Sequence, residues 1–359
     1  MVVDWIIYKY KNVRGGFSTS CSKGCGGRRL MVLVATVLLA VLFTACAGAA
    51  GTGGKTGKAA READNYPAQP ITYMIPFDAG GQSDVEARRQ QPLLKKLLGQ
   101  QVNVTYKPGG GGAVGWAELV QQKADGYYIA GINVPHIILQ PLAQQDAGYE
   151  TAQIEPIAIF QTSPIGLAVT KESGITSLEE FVQAAKKEPG KLTVAGSGSY
   201  SGHHLAFGQL QQLADIELQY VPFTGGATQI QGFLGGNTTA ILANSDDLVS
   251  YKGKMTILAI GSEERFAALP DVPTFQESGF NLTASIDRGV AVPPGTPPEI
   301  VARLEAAFLE VANDPKVQKE MQKDGFAPQA MGAAEAKQYI AEKKKQYEPV
   351  LESLDALMK

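Results

Sequence analysis

Cysteine and histidine are scarce in this chain of 359 residues, and each scarcity excludes a class of chemistry. The three cysteines are Cys21, Cys25 and Cys46, with none in the long remainder to Lys359. A disulfide framework, a thiolate metal site and a cysteine nucleophile are therefore ruled out of the folded body. Three histidines, His136, His203 and His204, supply too little imidazole for a metal site built on that ligand. Charge is also modest, at 19% of residues and a formal net of −3. No basic excess supports nucleic-acid binding, and no basic amphipathic stretch suggests a membrane-surface helix.

What is present begins with an address. Lys23, Arg28 and Arg29 precede an apolar run from Leu30 to Phe43, followed by Thr44-Ala45-Cys46. Positive charge, an apolar stretch and small residues before a break make an export signal, here spanning residues 1–46. The cysteine directly after Thr-Ala resembles a lipoprotein signal, in which cleavage leaves Cys46 lipid-modified at the new amino end. Phe43 stands where that signal usually has leucine. The alternative is an uncleaved anchor, since Leu30 to Ala50 has the roughly 20 residues that span a bilayer. Either route exports the body. Residues 47–65 are small and polar and read as a flexible tether.

From Tyr66 onward short apolar strands alternate with amphipathic helices, which predicts an α/β class with parallel or mixed sheets. Ile71–Pro76, Val102–Tyr106, Tyr127–Asn133, Ile157–Phe160 and Ile165–Val169 read as strands. So do Leu192–Ala195, Leu218–Val221, Ala240–Ala243, Thr256–Ile260 and Val290–Val292. Val85–Leu98 reads as a helix, as do Ala113–Gln122, Pro298–Ala312 and Ala333–Leu354. Ser177 with Glu180 at the capping-box position opens another. The length exceeds what one core usually organises, so two lobes are expected, with crossovers near Thr162-Ser163-Pro164 and Asp287. Lobe 1 is assigned residues 66–163 plus 288–359, and lobe 2 residues 164–287.

Four strand-to-helix junctions share glycine and hydroxyl residues: Pro76–Ser83, Pro108–Gly112, Gly196–His204 and Pro222–Ala227. At such junctions free backbone N–H groups and the positive helix end point to one spot, so several together suit a carboxylate. Taken singly, each is more often an ordinary glycine turn. His203-His204 reads either as a donor pair at a cleft or as packed side chains. Asn244-Ser245 supplies polar contacts or caps a helix. Arg288 reads as a bidentate clamp on a carboxylate or as half of a structural ion pair with its surroundings, the ion pair being favoured.

Enzyme motifs fail on inspection. Gly110, Gly112 and Gly115 fit G-x-G-x-x-G, but Ile129–Asn133 lacks the acidic residue a dinucleotide site needs. Gly198–Gly202 resembles a nucleophile elbow with Tyr200 where serine is required. Gly54-Lys55-Thr56 lacks the earlier glycine of a phosphate loop, having Ala49 there. No cofactor is expected.

The run Tyr66–Asp84 resembles the opening of the Bug family, TctC-like substrate-binding components of tripartite tricarboxylate transporters. The resemblance continues through Lys107–Gly112, Ala124–Tyr127, Gly190–Leu192, Tyr220–Ala227, Ala268–Thr274 and Pro293–Pro297. It implies a type II periplasmic-binding-protein fold, two α/β lobes with a ligand cleft between them. It also implies a small di- or tricarboxylate or related acid as ligand, membrane permease subunits as partners, and no catalysis. Carried over by position, the ligand-holding residues are Phe77, Ala79, Gly80, Gly81 and Ser83 in the first loop. Ser201, His204, Thr224, Gly225 and Ala227 follow in the second half. Asn244 stands where relatives often have an acid, which disfavours an amine-bearing ligand. A secreted hydrolase or lyase, or a ligand sensor, are the alternative uses of such a cleft.

Overall fold

Ile71-Thr-Tyr-Met-Ile75 is buried at four of its five positions, the signature of a strand covered on both faces. The computed structural model describes residues 65–354 apart from Gln145 and places this run as β1 (Ile71–Ile75). Residues 1–64, with the export signal, Cys46 and nearly all of the tether, lie outside the described residues. β1 pairs in parallel with β2 (Val102–Tyr106) and β3 (Tyr128–Val134). Parallel neighbours need crossovers, supplied by α1 (Gln82–Leu98) and α2 (Ala113–Leu119). α1 buries Ala87, Leu94 and Leu98, carries Lys95 and Lys96 in its last turn, and stops at Gly99 in the left-handed conformation. Val85, an apolar residue near the start of this helix, is 40% exposed.

The chain then runs through α3 (His136–Ala143), β4 (Glu155–Thr170), α4 (Leu178–Lys187), β5 (Thr193–Gly196), α5 (Gly202–Ala214) and β6 (Gln219–Pro222). α6 (Gly226–Leu234), β7 (Ala240–Asn244), α7 (Ser245–Tyr251), β8 (Met255–Ile260) and β9 (Ser285–Val292) follow. α8 (Pro298–Ala312), α9 (Pro315–Lys323), β10 (Ala327–Gly332) and α10 (Ala333–Leu354) complete the described residues. The main strand order is β2-β1-β3-β9-β4-β7-β5-β6, with β8 and β10 also paired to β4. This is a mixed α/β fold of two lobes. The cap expected at Ser177 is present: its hydroxyl accepts from the Glu180 amide at 3.1 Å, and the Glu180 carboxylate accepts from the Thr176 amide at 2.7 Å.

One strand replaces two expected ones. β4 continues through Thr162-Ser163-Pro164, where the sequence suggested a break. Pro164 offers no N–H, but Ile165 resumes the ladder at once, donating to Ala284 O at 2.8 Å. Along β4 the partners change. Glu155–Pro164 pairs with β9, whereas Ile165–Thr170 pairs with β7 and β8. The apolar cores divide in parallel with that change. One joins β1, β3, the first half of β4 and α8, while two others cover opposite faces of the second sheet. Along β7, for example, Ala240 and Leu242 face one core and Ile241 and Ala243 the other.

Phe308 is the keystone of the first core, 1% exposed, edge-on to Tyr73 at 5.9 Å and stacked on Phe160 at 6.2 Å. Phe308→Ala is expected to cost about 3–5 kcal/mol of stability, through lost burial and a residual cavity. Denaturant unfolding checks it, and a loss below about 1 kcal/mol would show that the cavity collapses.

Candidate functional site

A narrow cavity of about 20 Å³ lies where loops from both sheets meet. Phe77, Asp78, Gly81, Gln82 and Ser83 reach it from the β1–α1 junction, and Asn133 and His136 from the end of β3 and the start of α3. Ser197 follows β5, Gly225, Gly226 and Ala227 open α6, Asn244 ends β7, and Ile286 and Arg288 lie on β9. Ligand sites at the carboxyl ends of strands are the rule for open α/β sheets. Neither α1 nor α6 has a side-chain N-cap; Gly81 and Gly225 hold those positions in extended backbone. Both helices therefore begin with amide donors that no capping side chain satisfies, the arrangement that suits an anion.

Arg288 dominates the electrostatics. It is 3% exposed, and its strand register sets it between Asn133 of β3 and Gln161 of β4. Its Nη1 donates to Ser163 Oγ at 2.8 Å. Gln161, with its amide oxygen toward Arg288 (3.0 Å) and its nitrogen toward Glu86 (3.2 Å), serves both neighbours. Nε has no hydrogen-bond partner. The favoured expectation of a structural ion pair is corrected here. Among the described residues no carboxylate lies within 4.0 Å of this guanidinium. Its neighbour Asp287 is instead occupied by the hydroxyls of Tyr339, at 2.5 Å, and Thr162. A buried guanidinium with a spare donor is half of a charge-assisted contact.

The histidines are neutral, because burial disfavours the imidazolium. His136 is pushed well below its ordinary range, His203 to about 3 and His204 to about 4, burial being the first cause in each. His203 Nδ1 accepts from the Ser197 amide at 3.1 Å, so its proton sits on Nε2 and is donated to Asn244 Oδ1 at 3.2 Å. With that oxygen engaged, Asn244 offers its NH₂ as donor to the cavity. His136 Nδ1 has no partner, and its ring stands edge-on to Phe77 at 5.9 Å.

Of the twelve expected ligand-holding residues, the cavity gathers Phe77, Gly81, Ser83, Gly225, Ala227, Asn244 and Arg288. Five lie elsewhere, each for a physical reason. Ser201 is fully buried as the N-cap of α5, accepting from the His204 amide at 3.2 Å and touching Tyr220 OH at 3.3 Å. The His204 ring stacks on Tyr220 at 4.1 Å, and its Nδ1 accepts from the Tyr200 amide. Thr224 stands exposed at the rim, donating to Asp78 Oδ2 at 3.0 Å. Ala79 is exposed, and Gly80 lines a neighbouring cavity. The Pro108–Gly112 loop packs away from the site, with Gly111 against Gln140, whose Nε2 donates to Ser199 O at 2.8 Å. Sequence reasoning missed Asn133, His136 and Ile286 as lining residues, while Asp78, Gln82 and Ser197 lie in junctions it named without singling them out. A polar residue ending the apolar strand Ile129-Ala-Gly-Ile-Asn133 was the available signal.

Next door, a cavity of about 310 Å³ shares Gln82 and Ala227 with the first and holds Asp246, Asp247 and Asp324. Gln82 Nε2 donates to Asp247 Oδ2 at 2.5 Å, tying α1 to α7. Burial pushes Asp246 up to about 6, opposed by the charge of Arg288, and raises Asp247 well above its ordinary range. An unfolded aspartate titrates near 3.9, so between about pH 4 and 6 the folded state holds a proton that the unfolded state has released. That contribution favours folding at low pH and is lost as pH rises through about 6. Asp246→Asn, which cannot ionise, is therefore expected to gain stability on the parent as pH rises from ~4 to ~7. Paired thermal melts across that range check it, and parallel curves would place this carboxyl in contact with water.

Comparison with known proteins bears on this site. Residues 86–356 match the family described as the tripartite tricarboxylate transporter family receptor. The chain is 31% identical over 296 residues to the UPF0065 protein in gbd 5'region of Cupriavidus necator, covering 82% of this chain and 90% of that one. It is 28% identical to protein BugT of Bordetella pertussis over 90% of this chain and 99% of that protein. The solved structure of the periplasmic binding protein BugD is similar over 81% of this chain and 99% of BugD, at 25% identity and a TM-score of 0.77. With its family match spanning most of the described residues, this chain belongs to the tripartite tricarboxylate transporter receptor family.

Proposed function

We propose that this protein is an extracytoplasmic solute-binding receptor that closes two lobes on one small carboxylate and presents it to membrane permease subunits. The observation that carries the reading is Arg288: a buried guanidinium, without a carboxylate partner, in a cavity built from both sheets. The family description and the uncapped starts of α1 and α6 support it. The lobes divide as residues 66–163 with 288–359 and residues 164–287, with β4 and β9 as the strands that pass between them; the change of partners along β4 supports this division. Ligand contacts to both lobes tip a balance of a few kcal/mol toward the closed state. The protein binds its acid without transforming it. Export and tethering run through the segment ending at Cys46, on the sequence signals alone.

A calorimetric and thermal-shift screen of small organic acids is expected to yield one or two strong stabilisers. Arg288→Gln should weaken the hit by about 2–5 kcal/mol, the usual cost of losing one partner of a buried charged contact. Unchanged affinity would remove Arg288 from the site, and consumption of the hit by purified protein would favour the hydrolase or lyase. Cys46→Ser should release the protein from membranes in cell fractionation; retention would favour the uncleaved anchor.

A further inference from the structure

The charge inventory of the cavity narrows the ligand beyond "small carboxylate". Arg288 is the one cationic residue among the described lining residues, and His136 beside it is held neutral by burial. A carboxylate already lines the same cavity: Asp78, half-buried and bridged to Thr224 across the mouth. Asp246 and Asp247 stand behind the partition made by Gln82 and Ala227, where burial favours their protonated forms, so Asp78 is the carboxylate that counts against a second anion. The helix ends add little. The positive end of α1 is countered by Asp84 in its first turn, which accepts from the Gly80 amide at 2.8 Å. α6 has no acid in its first turn and contributes about half a charge. Arg288 and α6 together suffice for one carboxylate. A second would meet no further cation and would lie beside Asp78, the arrangement that rejects a ligand by repulsion.

We infer that the cleft selects acids bearing a single carboxylate, with a neutral, hydrogen-bonding remainder, over acids bearing two or three. The donors and acceptors left for that remainder are neutral: Ser83, Asn133, Ser197 and Asn244, beside the apolar walls of Phe77 and Ile286. The inference rests on the receptor reading above and names its substrate class.

Matched acids test it on the full-length protein near neutral pH, by titration calorimetry: butanoate against succinate, lactate against malate and citrate, benzoate against terephthalate. The single-carboxylate member of at least one set is expected to bind about tenfold or more tightly than its partners. That binding should disappear in Arg288→Gln, and Asp78→Asn should narrow the gap. Succinate, malate, citrate or terephthalate binding as tightly as its single-carboxylate counterpart would overturn the inference while leaving a carboxylate receptor intact. Absence of binding by every acid would overturn both.

Discussion

A guanidinium buried without a countercharge is the constraint around which this molecule is arranged. Taking a cation out of water costs several kcal/mol unless its donors are met. Arg288 is met only in part, by Ser163 and Gln161 on the neighbouring strand, and Nε is left over. Acids surround it without touching it: Glu86, Asp246, Asp247 and Asp287 all favour its charge from a distance. They hold the guanidinium ionised and fixed while keeping its open side for something else. Direct pairing would have silenced it. Asp287, next in sequence, is turned to hydroxyls, and Glu86 is engaged by Arg89 and Gln90.

The strands that carry this charge also join the two sheets. Ser163 and Arg288 sit on β4 and β9, and β4 changes partners one residue beyond Pro164. A ligand held by Arg288 is therefore gripped at the junction, while Gly81 and Ser83 approach from one sheet and Gly225, Ala227 and Asn244 from the other. Contacts across the mouth, Thr224 to Asp78 and Gln82 to Asp247, join the two rims. They are exchangeable hydrogen bonds and not an apolar seal, which suits a cleft that must open again.

Local chemistry was readable in the sequence wherever a few neighbouring residues decide the outcome. Ser177 with Glu180 fixes a helix start by short-range hydrogen bonds, and Pro298–Ala312 and Ala333–Leu354 follow their apolar periodicity to the residue. The two-lobed class, the family, and the two junctions around Gly81 and Gly225 were legible in the same way. Strand order was not. Nothing near Arg288 says that Asn133 and Gln161 will flank it in register, because that adjacency arises only when β9 inserts between β3 and β4. Ser201 and His204 show the opposite limit. Their residue types suit a ligand, but a helix cap and a Tyr220 ring claimed them first. β10 escaped notice because Ala327–Gly332 is a half-exposed edge strand with a proline and no clean alternation.

The neutrality of the histidines completes the electrostatic logic. If His136 or His203 titrated near 6.5, the site would gain charge on mild acidification and accept different anions as its surroundings changed. Burial moves both far below that range, and His203 is further committed by its paired bonds to Ser197 and Asn244. Its role is to orient an amide, so that Asn244 presents a donor of fixed direction without adding charge. On the proposed reading Arg288 supplies a permanent attraction, because a guanidinium cannot lose its proton in water, and a ring of neutral donors supplies shape.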